Sequence, residues 1–352
     1  MAIDFTLSPE LEQIRLRVRA FVNDVVKPGE AELDKLRDED RADYIGKLIA
    51  LRKQAMEVGL WMPHMPKEWG GMGLGHVQLA MVQAEAAKAS MGPWVLNCQA
   101  PDEGNMHTLL HWGTPEQKEK YLKPLCDGTA MSCFAMTEPE VAGSDPTLIK
   151  TTAVQDGDEW VANGHSEIVI EDLRIPAENM LGGRGQGHML GQYRLGPARL
   201  AHCMRWISQA ETALDMMVDR SLVRYSHGSV LAEKQGIQWM IADSSMEIYQ
   251  AKLMVLHAAY LIDSGADFKS EVSMAKHFVA NMLGRVIDRS IQVHGALGYS
   301  TDTPLAHMFQ HARWARFADG ADEIHQMRIA QRTIGAYRDH GSTRTATGNL
   351  PI

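Results

Sequence analysis

"TLIKTTAVQDGDEWVANGHSEIVIEDLRI", residues 147–175, alternates apolar and polar side chains at period two and is broken by the turn residues "DGDE" at 156–159. Successive strand residues point to opposite faces, so this pattern predicts short strands within "TLIKTTAVQ", "EWVANG" and "SEIVIEDLRI". The chain is helical in pattern on both sides. Upstream, Ser8-Pro9 is a helix start, and Leu11, Ile14, Val18, Phe21 and Val25 follow on one face, with Pro28 expected to stop the run. Further helices are expected over 43–59 and 76–89, and at "TPEQ", where Thr114 caps, Pro115 fits the first turn and Gln117 completes a capping box. Downstream, long helical runs are expected over 196–223, 231–263 and 270–293. The fold class is therefore mainly α with a small β insert. It divides into an N-terminal helical domain (1–130), a middle β domain (131–184) and a C-terminal helical bundle (185–352).

The composition narrows the function. The 352 residues suffice for two or three domains, and 45% hydrophobic with 22% charged residues is ordinary for a folded protein. A net charge of −9 opposes binding to nucleic acid or an anionic membrane, and no apolar run approaches the length of a membrane span. The N-terminus shows no secretory signal pattern. Cys98, Cys126, Cys133 and Cys203 form no CxxC pair, so neither a zinc site nor a disulfide framework is expected; a reducing, cytoplasmic setting is. The fifteen histidines show no metal-ligand spacing, so no metal is expected. "GGRGQG" (182–187) is not G-x-G-x-x-G and lacks a strand-loop-helix frame, which excludes a dinucleotide-binding loop of that type.

Two stretches look chemical. "FAMTEPEVAGSD" (134–145) bends at Pro139 and carries Ala142, Gly143 and Ser144, small residues whose backbone can approach a flat ring or a phosphate; a plain connection into the β segment is the alternative. "ARFADGADEIH" (315–325) breaks between two helices at Asp319-Gly320. Asp319 is either a helix cap or a functional carboxylate.

"FAMTEPEVAGSD" resembles the flavin-binding signature of the acyl-CoA dehydrogenase family. The resemblance continues in order through "MPKEWGGMGLG", "HWGTPEQKEKYLKPLCDG", "DLRIPAENMLGGRGQG", "LGPARLAHCMRW" and "QVHGALGYSTDTPLAHMFQHARW". "ADGADEIH", with Asp-Gly in place of Glu-Gly, and "EPEV" point to the branch of family members ten and eleven. The resemblance implies a β-barrel-like middle domain, here truncated, a C-terminal four-helix bundle, and FAD shared across the interface of a homodimer or homotetramer. It implies that Phe134, Met136 and Thr137 cover the flavin ring, that Gly143 and Ser144 touch the cofactor, and that Ser144 also lies by the substrate. Arg224 and Ser226 match the pyrophosphate contacts, where an arginine fork suits phosphate oxygens, and Lys234 and Gln235 the next cofactor pair, with lysine in place of the family's histidine. Gln292, Val293, His294, Gly295 and Ala296 match a loop around the adenosine half, and Ala321, Asp322 and Glu323 match further flavin contacts. Gly196, Pro197, Ala198 and Arg199 match the acyl-CoA contact segment, with Gly320 also by the substrate.

Asp319 falls on the family's catalytic base. The implied activity is α,β-dehydrogenation of an acyl-CoA thioester: Asp319 takes the α proton, the β hydrogen leaves as hydride to flavin N5, and an electron-transferring flavoprotein receives the electrons. Some branches place the base one position before Arg199, but Ala198 stands there. Two departures matter. The β segment supplies three or four strands at most, about half of what a small barrel needs, with the seam at Gly164-His165, and His227 replaces an aromatic residue that packs on the cofactor. The missing strands keep open a catalytically silent acyl-CoA-binding homologue, and the Asp base keeps open a flavin oxidase of nitroalkane-like substrates, a branch that also uses Asp.

Overall fold

The computed structural model describes residues 7–37, 40–166, 168–344 and 346. The chain forms two compact units, one of Met1–Leu60, Leu74–Leu96 and Arg199–Ile352, the other of Trp61–Gly73 and Asn97–Ala198.

In the first unit the helix Pro9–Phe21 starts as expected, with the Ser8 hydroxyl accepting from the Leu11 N–H at 3.2 Å and Leu11, Val18 and Phe21 buried. Pro28 does not end the helical run. A wide π turn, Val22–Val26, leads directly into the helix Lys27–Leu36, with Pro28 in its first turn. Proline lacks an N–H and its ring crowds the carbonyl four residues back, and the widened turn relieves both conflicts. The next helix runs Arg41–Glu57, two residues earlier at each end than expected, because Asp40 caps it through the Ala42 and Asp43 N–H groups.

The helix His76–Ala86 begins at Gly75, which has no side chain to offer. Asp263, far along the chain, accepts from the His76 and Val77 N–H groups at 2.6 and 2.9 Å. The bundle's long helices are Gly187–Val223, whose part from Arg199 onward belongs to this unit, Gln235–Asp263, Lys269–His294 and Asp322–His340. Lys269–His294 is central and packs on Gln235–Asp263, on Asp322–His340 and on the shorter Leu305–Ala315. Its buried Val279, Leu283, Val286 and Ile287 join Leu200, Met204, Trp206 and Val255 in one apolar cluster, each large side chain contributing about 1.5–3 kcal/mol by burial.

In the second unit, Thr114 and Gln117 close the expected capping box at 3.1 and 3.2 Å. A second π turn, Lys118–Leu122, again precedes a proline, Pro124 in the helix Lys123–Cys126. Strands β1 (Thr152–Asp156), β2 (Glu159–His165) and β3 (Val169–Pro176) form an antiparallel meander. β3 bulges at Asp172, where φ is +47° and the N–H donates to Asn163 Oδ1 at 2.7 Å. At the expected seam His165 pairs with Val169, and the Ser166 N–H donates to Ile168 O at 3.0 Å. Among the described residues this sheet has three strands, and Val154, Val169 and Leu173 are exposed on it. It is the reduced middle segment that the alternation predicted. No helix among the described residues is long and apolar enough to cross a membrane.

Candidate active site

Between Leu305–Ala315 and Asp322–His340 the chain turns through Asp319 at φ +53° and Gly320 at φ +111°. Left-handed backbone costs an L-residue energy, and Asp is among the few side chains that tolerate it. The cap reading of Asp319 fails here, because the helix begins at Asp322 with Ala321 as its N-cap and no side-chain acceptor. Two long side chains hold the turn instead. Arg199 Nε donates to Asp319 O and Lys276 Nζ to Gly320 O, both at 2.7 Å. A Cβ on Gly320 would come 3.0 Å from His325 Nε2, so the turn also packs too closely for a side chain there.

The carboxylate end of Asp319 faces His202, whose Nε2 lies 3.3 Å from Asp319 Oδ2. The Asp319 side chain is 18% exposed and that of His202 8%. Arg199, His202 and Trp206 follow at three- and four-residue steps and so share one face of their helix. The His202 ring stacks on Trp206, with centroids 5.2 Å apart, and meets Trp314 edge-on. Burial pushes the His202 imidazole down and Asp319 pulls it the other way. Burial likewise lowers the Lys276 ammonium, opposed by Asp322, and depresses His311 and His325 to about 4. The neighbourhood of Asp319 is therefore dry, with neutral imidazoles around the carboxylate.

The cofactor candidates of this unit fall in separate places. β4 (Tyr225–Ser226) and β5 (Ser229–Val230) form a hairpin whose turn, His227-Gly228, has positive φ at both residues. Ser226, His227 and Lys234 line a cavity of about 520 Å³ with Leu231, Ile237 and Met240 as its apolar wall. Ser226 Oγ hydrogen-bonds His227 Nδ1 at 2.6 Å, and Lys234 Nζ donates to His227 O at 2.8 Å. Arg224 and Gln235 are exposed. Gln292, Gly295 and Ala296 are exposed at the end of the central helix; Val293 is buried and His294 Nδ1 bonds Ser290 O at 2.8 Å.

Asp322 is buried, and Arg316 Nε and Asn281 Nδ2 donate to it at 2.6 and 3.0 Å. Burial raises its carboxyl, but those donors outweigh burial and hold it below its usual value. With Glu323, His277 and Arg285 these groups line a second cavity, of about 300 Å³. Ala321 is half-buried.

In the other unit the "FAMTEPEVAGSD" loop lies open. Phe134, Thr137, Gly143 and Ser144 are exposed and Met136 half-buried, and the Arg194 guanidinium sits 4.2 Å from the Phe134 ring centroid. A Cβ on Gly143 would meet Thr137 Cγ2 at 3.0 Å. Gly196 and Pro197 are half-buried and Ala198 buried, all within Gly187–Val223.

Two models of the acyl-CoA dehydrogenase family match the chain, the N-terminal domain at residues 8–129 and the C-terminal domain at 185–334. The acyl-CoA dehydrogenase homologue FadE2 of Mycobacterium tuberculosis is 34% identical, over 94% of this chain and 97% of its own length. The chain belongs to the acyl-CoA dehydrogenase family. Mouse acyl-CoA dehydrogenase family member 10 is also 34% identical over 93% of this chain, which spans only 37% of that protein and about half of the family member 11 relatives. That alignment runs over 397 positions, more than the chain's 352 residues, so the relative carries stretches absent here. A solved structure of an acyl-CoA dehydrogenase homologue from Mycobacterium abscessus superposes with a TM-score of 0.88 at 33% identity, over 95% of this chain and all of its own.

A solved acyl-CoA dehydrogenase from Bacillus anthracis, 21% identical with a TM-score of 0.82, is complexed with FAD. The Ser226–Lys234 cavity fits such a group, since it sets an ammonium and a hydroxyl beside an apolar wall, suited to phosphate and to ring surface respectively. Sequence reading found Asp319 and Arg199 but passed over His202, Arg205, Lys276 and His325. A signal was present for Lys276: it lies among the apolar positions Val272, Ala275 and Val279 of a helix, where an unpaired charge would be costly.

Proposed function

We propose that this protein is an FAD-dependent acyl-CoA dehydrogenase in which Asp319 removes the α proton of a CoA thioester. The observation that carries the reading is the Asp319 turn, a short, largely buried carboxylate in strained left-handed backbone, tied down by the half-buried Arg199 and the buried Lys276. Backbone strain of this kind, about 1–3 kcal/mol, persists where surrounding contacts enforce it, and functional sites are where it gathers. When bound, FAD supplies the acceptor for the β hydrogen and its pair of electrons.

The remaining steps belong to the chain. Asp319 accepts the α proton at its carboxylate, and its backbone N–H serves as a donor to the thioester carbonyl, stabilising the developing enolate. Arg199 and Lys276 fix the turn, so the shorter reach of Asp relative to Glu is set by backbone position. Phe134, Met136, Thr137, Gly143 and Ser144 cover the ring, and Arg224, Ser226, Lys234, Gln235, Ala321, Asp322 and Glu323 contact the rest of the cofactor. Gln292, Val293, His294, Gly295 and Ala296 contact it from a second subunit of a homodimer or homotetramer. An electron-transferring flavoprotein is the acceptor.

Anaerobic bleaching of the flavin by a panel of acyl-CoAs and nitroalkanes tests the reading, with Asp319→Asn as control. Bleaching by an acyl-CoA is expected, and its slowing by about 10²–10⁴ in the variant; an unimpaired variant removes Asp319 from the mechanism, and bleaching by nitroalkanes alone makes the protein an oxidase. The reduced three-stranded sheet favours one rival, a silent acyl-CoA-binding protein. Purified protein that stays colourless after incubation with FAD decides for it.

A further inference from the structure

We infer that His202 is the positioning residue of the base, donating its Nε2–H to the Asp319 carboxylate in a tautomer that Arg205 imposes. The inference rests on Asp319 being the base. It follows from which atoms can donate. Arg205 Nη2 lies 3.2 Å from His202 Nδ1, and a guanidinium has donors but no acceptor, so Nδ1 must be the unprotonated nitrogen. The ring proton of a neutral imidazole is then on Nε2, the atom 3.3 Å from Asp319 Oδ2. The approach is a close polar contact at 3.3 Å, and catalytic contacts of this kind often tighten into aligned hydrogen bonds only when substrate arrives.

The neutral form is enforced twice. Protonating Nδ1 would turn two N–H groups against each other at Arg205, and burial already lowers the imidazole. Arg205 is itself fixed, with Nη1 donating to Gln83 Oε1 at 3.3 Å, and the ring plane is set by the stack on Trp206. Arg205, anchored by its bond to Gln83 Oε1, thus donates to His202, and His202 in turn faces the base with its remaining proton.

Its purpose is specific to a dry site. Burial alone favours the protonated carboxyl, and a protonated Asp319 is no base. A donor on the carboxylate favours the ionised form and selects one carboxylate orientation. The other groups facing Asp319 are Arg199 from the same helix as His202, Lys276 from the central helix, and His325 from the helix that follows the turn. Arg199 and Lys276 donate to the backbone carbonyls of the turn. His325 is depressed to about 4, as is His311, which faces His202 from the helix Leu305–Ala315, so neither gains a proton near neutral pH. Cys203 is held as a thiol by burial. Near neutral pH neither these rings nor the thiol changes charge, so a displacement of the acidic limb between His202 variants reports on the His202–Asp319 contact.

Two readouts test this. Histidine-selective ¹⁵N NMR of the holoenzyme is expected to show His202 neutral, with Nδ1 as acceptor and Nε2 protonated, from pH 6 to 8. An Nδ1-protonated ring, or an imidazolium at pH 7, overturns the inference. The second readout is the pH profile of flavin bleaching by acyl-CoA. His202→Leu removes the donor and is expected to move the acidic limb up by about one to two pH units, with kcat falling and KM nearly unchanged. His202→Gln places an amide donor where Nε2 was and is expected to restore most of that limb. Identical profiles for wild type and His202→Leu overturn the inference, as does failure of His202→Gln to differ from His202→Leu. Should His202→Leu not fold, the wild-type NMR spectrum and the Gln profile still decide. An Asp319→Asn enzyme that bleaches normally defeats the base assignment instead, and leaves the tautomer measurement standing by itself.

Discussion

Exchanging glycine for alanine at two positions of one connected segment is expected to change stability in opposite directions. At Gly320, φ is +111° and an added Cβ would stand 3.0 Å from His325 Nε2. Strained backbone of this kind costs an L-residue about 1–3 kcal/mol. Moving the buried His325 ring adds about 1 kcal/mol, and the stiffer unfolded chain returns about 0.4–1 kcal/mol. Gly320→Ala is therefore expected to destabilise by about 1–3.5 kcal/mol. Gly335 lies inside the helix Asp322–His340 with open space where its Cβ would be, so Gly335→Ala is expected to stabilise by about 0.5–1 kcal/mol. Urea midpoints of the two variants measure the difference, and flavin bleaching measures its consequence. Shifting Asp319 by about 1 Å is expected to slow proton removal by about 10² in Gly320→Ala, while Gly335→Ala keeps the wild-type rate. If Gly320→Ala matches Gly335→Ala in both assays, the turn is not held in the conformation described and the argument for a strained, pinned base falls.

Acid is expected to weaken the fold before most carboxylates titrate. His311 and His325 have folded values of about 4 against an ordinary 6.5, so the unfolded chain takes up their protons first; their stabilisation is complete above pH 6.5 and is lost as pH falls toward 4. Allowing for partial exposure, the loss is about 2 kcal/mol per ring, and urea midpoints at pH 7 and 4.5 that coincide would contradict it. Lys276→Met is expected to change stability by less than about 2 kcal/mol, because relief of a buried ammonium offsets the carbonyl left unpaired on Gly320, yet to slow bleaching at least about tenfold. A Lys276→Met enzyme of full activity removes that side chain from the support of the base.

What the sequence revealed and what it hid divide by range. Ser8, Thr114 and Gln117 act on backbone within three residues, and a cap or capping box can be recognised without knowing the fold. The β segment was equally legible, because alternation is a local property. Pro28 misled because its penalty assumes a regular α-turn, and the chain adopts a wider one. The cap on His76–Ala86 was invisible because the carboxylate comes from Asp263. The same holds at the site. Asp319 stood out beside Gly320 in a break between helices, and Arg199 was marked by its motif as a substrate contact, whereas its bond to the turn and the approach of His202 and Lys276 exist only in the folded bundle.

The closure of β2 onto β3 has an architectural corollary. His165 and Val169 sit side by side as partners in the ladder, so a polypeptide spliced between them would depart from and return to neighbouring points on a single border of the meander. Such a junction is a natural graft point. Strands borrowed from a longer homologue could be inserted there without rerouting either flanking strand, and the hybrid would reveal how much cofactor grip the extra strands provide.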